Sequence, residues 1–281
     1  MDSPAPPADF GIVFALDQNF VLPLAVSILS AADNTRTPEL LHFLVLARGF
    51  SSQDTERLKA LGAATGATVD IVDIGHLDFS GLREWQHITN VMHARMMLQD
   101  FVPAHWKRAV YLDADVLVRG DILDLNHVDL EGQILGAVED DIVHVFFEAN
   151  WPGQPNPLEG KVIFNTGVLV IDLDRWSSEQ VGQRALALAR DSQACMTGTD
   201  QEALNTVVDG RWKRIDPAWN VMTHFYYRPR SKRKYEDALQ NVKLRHFTSE
   251  YKPWLENSHA PGADLYLPVL RRVPWAAPSN L

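Results

Sequence analysis

Two rhythms of apolar and polar residues alternate along this chain. Short, nearly unbroken apolar runs predict buried strands: "FGIVFALD" from Phe10, "LHFLVLAR" from Leu41 and "ATVDIVDI" from Ala67. Between the first two, "LPLAVSILSAAD" repeats its apolar residues at helical spacing, with Asn34 and Pro38 marking the exit. "SSQDTERLKALGAATG" predicts a second helix, with Ser51 and Asp54 as a capping box and Gly66 as its stop. A third helix is expected over "TNVMHARMMLQDFVP". It leads into "AVYLDADVLVRGD", an apolar strand that meets Asp113 and Asp115 with only Ala114 between them.

Strand–helix–strand alternation predicts an α/β fold, a mixed and mostly parallel central sheet flanked by helices. Right-handed crossovers put ligand contacts at the carboxyl ends of its strands, so the two aspartates are expected at the functional edge. Downstream, "ILGAVEDD" and "KVIFNTGVLVIDL" predict more strands, and the Pro- and Gly-rich "NWPGQPNPLEG" between them reads as a surface loop. Helices are predicted over "SSEQVGQRALALARD" and "TDQEALNTVVD". In the second, Thr199 and Glu202 form a capping box that sets Asp200 and Gln201 in the first helical turn. After about residue 215 the periodicity fades. A single domain over 1–281 is therefore expected, with 216–281 an irregular C-terminal subdomain leaning on the main sheet.

Composition narrows the function classes. A chain of 281 residues, 46% hydrophobic, can bury a sizeable core. Its net charge of −10 argues against a nucleic-acid binder, which needs a basic face to track phosphates. The single cysteine, Cys195, fits a reducing compartment and reads as a small buried apolar residue. The opening "MDSPAPPADF" lacks the basic and apolar regions of a signal peptide, and no apolar stretch is long enough to cross a bilayer. A cytoplasmic protein is expected. "HFYYRPRSKRK" gathers Arg228, Arg230, Lys232, Arg233 and Lys234 behind aromatics. It reads as a solvated charged loop, with contact to an anionic acceptor or a peripheral contact with an anionic leaflet as the alternative.

Burying a lone carboxylate is costly without compensation, so the paired aspartates pose the chemical question. They could be a solvated turn. They could be the nucleophile and general acid of a haloacid-dehalogenase-type phosphatase, although roughly three strands precede them and Val116 and Leu117 stand where a glycine and a threonine are usual. Or they could hold Mn²⁺ or Mg²⁺, hard ions suited to carboxylate and phosphate oxygen, against a nucleotide diphosphate.

From "IVFALDQNF" to "RHFTSEYKPW", roughly residues 10 to 255, the chain resembles glycosyltransferase family 8. These are retaining enzymes of GT-A (Rossmann-like) fold that include bacterial lipopolysaccharide galactosyl- and glucosyltransferases. The resemblance rests on "FALDQNF", "ARMMLQ", "YLDADVLV", "FNTGVLVIDLDRW", "TDQEALN" and a histidine six residues before "KPW", all in the family's order. It implies a UDP-sugar donor, UDP-glucose or UDP-galactose, a saccharide acceptor, and Mn²⁺ held by Asp113, Asp115 and His246. It implies that Ala15 and Asp17 meet the uracil, and that Asn19 and Phe20 lie along the nucleotide. Arg95 would then sit near the donor sugar and nucleotide, Asp113 near the sugar or ribose, and Lys252 would meet the diphosphate. Asp140, Asn165, Thr166 and Gly167 would face the sugar, with Asp200 and Gln201 beside the anomeric carbon. Ser249 replaces a usual family glycine where the backbone approaches the phosphates, which raises the question of whether that position needs a positive φ. A catalytically silent nucleotide-sugar-binding protein of the same fold is the alternative.

Overall fold

The computed structural model describes residues 9–82, 90–142, 155–191, 200–256 and 258–276. Its centre is a seven-stranded sheet in the order β3-β2-β1-β4-β7-β6-β8. The strands are β1 (Phe10–Asp17), β2 (His42–Arg48), β3 (Thr68–Asp73), β4 (Arg108–Leu112), β6 (Leu135–Glu139), β7 (Phe164–Asp172) and β8 (Trp212–Arg214). β1, β2, β3 and β4 pair in parallel, as does β6 with β8, while β7 runs antiparallel to both β4 and β6. Apolar side chains on the two faces form two separate cores, one around Phe14, Phe43 and Leu24, the other around Tyr111, Leu169 and Trp176. A sheet buried on both faces accounts for the near-continuous apolar runs in its strands.

Local signals place the first half well. β1 begins at Phe10, and helices Val21–Asp33 and Ser52–Thr65 follow as expected. The Ser51–Asp54 capping box is formed in both directions, and Gly66 ends its helix in the left-handed conformation at φ 85°. Thr199 of the second expected box lies outside the described residues, as do Cys195 and residues 150–154 of the Pro-rich insert. The described remainder of that insert, 155–160, is turn and irregular chain.

Four expectations need correction. The segment before β4 is wound as a 3-10 helix over Asn90–Asp100 and not as an α-helix. The "AVYLDADVLVRGD" run is not one strand: β4 stops at Leu112, and β5 (Val116–Val118) joins another sheet, of order β5-β10-β9. Its partners are β9 (Val221–Met222) and β10 (Leu244–His246), short strands inside the segment where no regular element was expected. The expected helix from Ser177 is two helices, Leu173–Ser178 and Val181–Asp191, separated where Gln180 takes φ 52°. The basic segment is helical over Pro229–Lys234 and not a loop.

Among the described residues, no helix is long and apolar enough to cross a membrane.

Candidate functional site

Because β4 ends at Leu112 and β5 departs into the small sheet, Asp113 and Asp115 fall in the break between the two. The main-chain N–H of Asp113 donates to Gly167 O at 2.8 Å, which ties the break to the amino end of β7. β10 pairs antiparallel with β5 and brings His246 opposite Val116. The outcome is a cluster in which ligand atoms of half-buried Asp113 and buried Asp115 and His246 lie within 4.8 Å of one another. His246 Nε2 stands 3.2 Å from Asp115 Oδ1 and 3.6 Å from Asp113 Oδ2. Two carboxylate oxygens and an imidazole nitrogen make a donor set suited to Mn²⁺. Gly167 makes room for it: a Cβ there would lie 2.2 Å from His246 Cε1 and 2.6 Å from Asp113 Oδ2.

Each aspartate also has its own cation. Lys252 Nζ donates to Asp115 Oδ2 and to Phe247 O, both at 2.6 Å. Burial alone would push the Asp115 carboxyl up, but the adjacent ammonium of Lys252 outweighs it and holds it well below the usual carboxylate range. Arg95 Nη2 donates to Asp113 Oδ1 at 2.9 Å, Nη1 donates to Thr166 O at 2.8 Å, and Nε lies 2.7 Å from Asp200 Oδ2. Burial works to lower the Arg95 pKa, yet Asp113 and Asp200 more than compensate and raise it, so the guanidinium stays charged. Its face lies over the Tyr111 ring at 4.5 Å. Burial raises the Tyr111 pKa well above its ordinary value, and the protonated hydroxyl donates to Asp113 Oδ1 at 3.1 Å.

Beside the cluster lies a hydrogen-bonded network of amide, hydroxyl and carboxylate side chains. Asp200 and Gln201 open the helix Asp200–Val208, as expected, and both are buried. Asn205, one turn on, docks that helix onto β7 by donating to Phe164 O and accepting from Phe164 N, both at 2.9 Å. Thr166 Oγ1 donates to Asp200 Oδ2 at 3.3 Å. Gln201 Oε1 accepts from Asn165 Nδ2 at 3.2 Å and from Thr166 N at 3.3 Å, while Gln201 Nε2 donates to Asp140 Oδ2 at 3.2 Å. Asp140 follows directly on β6, held there by its N–H to Ile163 O at 2.8 Å.

The expected uracil-side residues lie at the carboxyl end of β1. Ala15 and Asp17 are half-buried, and Asp17 caps the turn Gln18–Phe20 by accepting from Asn19 N at 2.9 Å. Asn19 is exposed, and the Phe20 ring meets Trp254 edge-on at 6.1 Å, which brings "FALDQNF" against the "KPW" loop. Ser249 is not among the non-glycine residues with positive φ, so the backbone there does not demand glycine. Its hydroxyl is buried and has no hydrogen-bond partner among the described residues.

The cluster and the adjoining polar network therefore bring together Arg95, Asp113, Asp115, Asp140, Asn165, Thr166, Gly167, Asp200, Gln201, His246 and Lys252. Tyr111, Asn205 and Asn220 also belong to this network, and sequence reasoning gave them no role. Asn205 lies inside the quoted "TDQEALN", where its place one turn after Gln201 was a usable signal. Tyr111 and Asn220 carry no such mark.

Comparison with known proteins identifies the family and the fold. The model of the family described as Glycosyl transferase family 8 matches residues 11–258. General stress protein A of Bacillus subtilis (strain 168) is 24% identical over 96% of this chain and 96% of its own. The lipopolysaccharide 1,3-galactosyltransferase of Salmonella typhimurium (strain LT2) is 25% identical over 95% of this chain and 79% of its own. The crystal structure of galactosyltransferase LgtC in complex with donor and acceptor sugar analogs superposes with a TM-score of 0.74. Its identity is 26%, and the match covers 93% of this chain and 95% of that one. The mixed sheet flanked by helices is thus the GT-A fold of these enzymes.

Proposed function

The chain belongs to glycosyl transferase family 8, and we propose that it is a metal-dependent retaining transferase moving glucose or galactose from a UDP-sugar to a saccharide hydroxyl. The observation that carries this reading is the convergence of half-buried Asp113 with buried Asp115 and His246 at one edge of the sheet. Those three residues would hold Mn²⁺, or Mg²⁺ in its place. The dication would supply charge neutralisation for a departing diphosphate.

The remaining roles belong to the chain's own side chains. Asp17, at the end of β1, would accept the imide N–H of uracil, with Ala15, Asn19 and Phe20 along the nucleotide. Lys252 and the unpartnered Ser249 hydroxyl would meet diphosphate oxygens. Asp140, Asn165, Thr166 and Gln201 form a polar wall able to bond sugar hydroxyls. Asp200 is already engaged by Arg95 and Thr166, so its carboxylate is poorly placed to attack an anomeric carbon. That favours front-face transfer, with a diphosphate oxygen accepting the proton of the incoming hydroxyl. Lipopolysaccharide or another cell-surface glycan is the acceptor class suggested by the Salmonella relative.

The test is UDP release from UDP-glucose and UDP-galactose, with Mn²⁺ and with chelator. Turnover that depends on Mn²⁺ supports the reading. UDP-sugar binding without turnover, across many saccharide acceptors, would replace it with a silent binding protein, and phosphate release from simple phosphomonoesters would replace it with a phosphatase.

A further inference from the structure

We infer that Asn220 is a positioning residue that sets the tautomer of His246, so that the bare Nε2 of the ring is turned toward Asp113 and Asp115 to receive a cation. The inference rests on the metal reading above. Its argument begins at a backbone group whose direction cannot be reversed. The N–H of Gly167 can only donate, and it lies 3.0 Å from Asn165 Oδ1. The other end of the Asn165 side chain, Nδ2, faces Asp140 Oδ2 at 3.3 Å and Gln201 Oε1 at 3.2 Å, both acceptors. The orientation of Asn165 is thereby determined twice over.

The amide of Asn220 meets that same Asn165 oxygen at 2.9 Å, so the group presented there has to be its NH₂. Its own oxygen is then left facing His246 Nδ1 at 2.9 Å. An amide oxygen carries no proton, so the hydrogen bond requires one on Nδ1. In neutral imidazole that leaves a lone pair on Nε2, the atom 3.2 Å from Asp115 Oδ1 and 3.6 Å from Asp113 Oδ2. A lone pair aimed at two carboxylate oxygens is repulsive unless a cation stands between them. Without this bond the ring could instead carry its proton on Nε2 and donate to Asp115, which would close the site to metal.

Burial makes the relay decisive. Asn220 is fully buried, and Asn165 and His246 are nearly so, so water cannot readily stand in for a lost partner. The turn Pro217–Asn220 that presents Asn220 is capped by Asp216, which accepts from Ala218 N at 3.0 Å. The chain Gly167–Asn165–Asn220–His246 also joins the network around Gln201 to the carboxylate cluster, since Asn165 contacts Gln201 at its other end.

The experiment is titration of the purified full chain with Mn²⁺ alone, followed by calorimetry and by the resonance of free Mn²⁺. Asn220→Leu is close to isosteric but neither accepts nor donates. It is expected to weaken Mn²⁺ about 10- to 100-fold, the usual effect of losing a partner that orients a ligating histidine. In a His246→Gln background the same change should cost nothing further, because Asn220 acts through that ring. Equal Mn²⁺ affinity in wild type and Asn220→Leu overturns the inference and leaves the metal site standing. A wild-type chain that takes up no Mn²⁺ overturns the metal reading, and the inference falls with it. A measurement on the wild type guards against a variant that does not fold: imidazole nitrogen NMR of the metal-free chain should show the proton of His246 on Nδ1. A bare Nδ1 overturns the inference by itself.

Discussion

Lys252 holds its ammonium 2.6 Å from one oxygen of Asp115, while the other oxygen of that carboxylate faces His246. A lysine therefore stands where a metal ion would compete for the same charge. If a dication took over Asp115, the ammonium would be free to turn to a diphosphate. Lys252→Met should accordingly lower the metal-free melting temperature, since breaking a buried pair costs about 3–5 kcal/mol. Mn²⁺ should then raise that temperature by more than it does in wild type, while UDP binds more weakly. The calorimetric melting curves with and without Mn²⁺ decide it, and identical metal-induced gains in both proteins would defeat the competition argument.

Gly167→Ala should abolish Mn²⁺ binding with a stability loss of about 1–3 kcal/mol, the range for overpacking. The added methyl would contact His246 and Asp113, both ligands of the proposed site. Denaturant unfolding and Mn²⁺ titration on the same sample separate the two effects. Unaltered Mn²⁺ affinity would mean that the cluster does not need this close approach.

Asp115→Asn should weaken Mn²⁺-dependent UDP binding, whereas Gln201→Ala should slow transfer and leave nucleotide binding largely intact. Gln201 contacts Asn165, Thr166 and Asp140, and not the carboxylate cluster itself. The comparison needs UDP affinities with and without metal beside turnover rates. Equal UDP affinity in all conditions for wild type and Asp115→Asn would sink the first half.

Away from the cluster, Asp141 accepts from Ser231 Oγ at 2.9 Å and bonds His224 Nε2 at 2.7 Å. Burial alone would raise its pKa, but these two bonds and the charge of His224 prevail and lower it. A carboxyl whose folded pKa lies below its unfolded value, about 3.9, stabilises the fold above that pH and loses the contribution as pH falls. Asp141→Asn should therefore cost stability at pH 7, and the gap from wild type should shrink by pH 3. Urea midpoints at the two pH values measure it, and a gap of constant size would contradict the shift.

Much of the scaffold was legible because its causes are local. β1, β2, β3 and the first two helices follow from apolar spacing, the Ser51–Asp54 cap and the left-handed Gly66. β9 and β10 were not legible: at two and three residues they are too short to show a period. The 3-10 winding of Asn90–Asp100 was hidden for a related reason, since its apolar residues fit an α-helical spacing as well. Motif order marked Asp113, Asp115, His246 and Lys252. It did not show that Arg95 joins Asp113 to Asp200, or that Tyr111 lies beneath that arginine.

The amino-acid order by itself determined which residues are apolar and at what spacing, and hence the α/β class and the pairing of two acids at a strand end. It did so because burial and backbone preference act over a few neighbouring residues. Only the tertiary structure decided that β4 breaks at Leu112 and that β10 carries His246 to the two acids. It alone also set the direction of every amide between Gly167 and that ring. Those outcomes depend on pairing across distant segments and on which donor meets which acceptor, relations that no local stretch of sequence records.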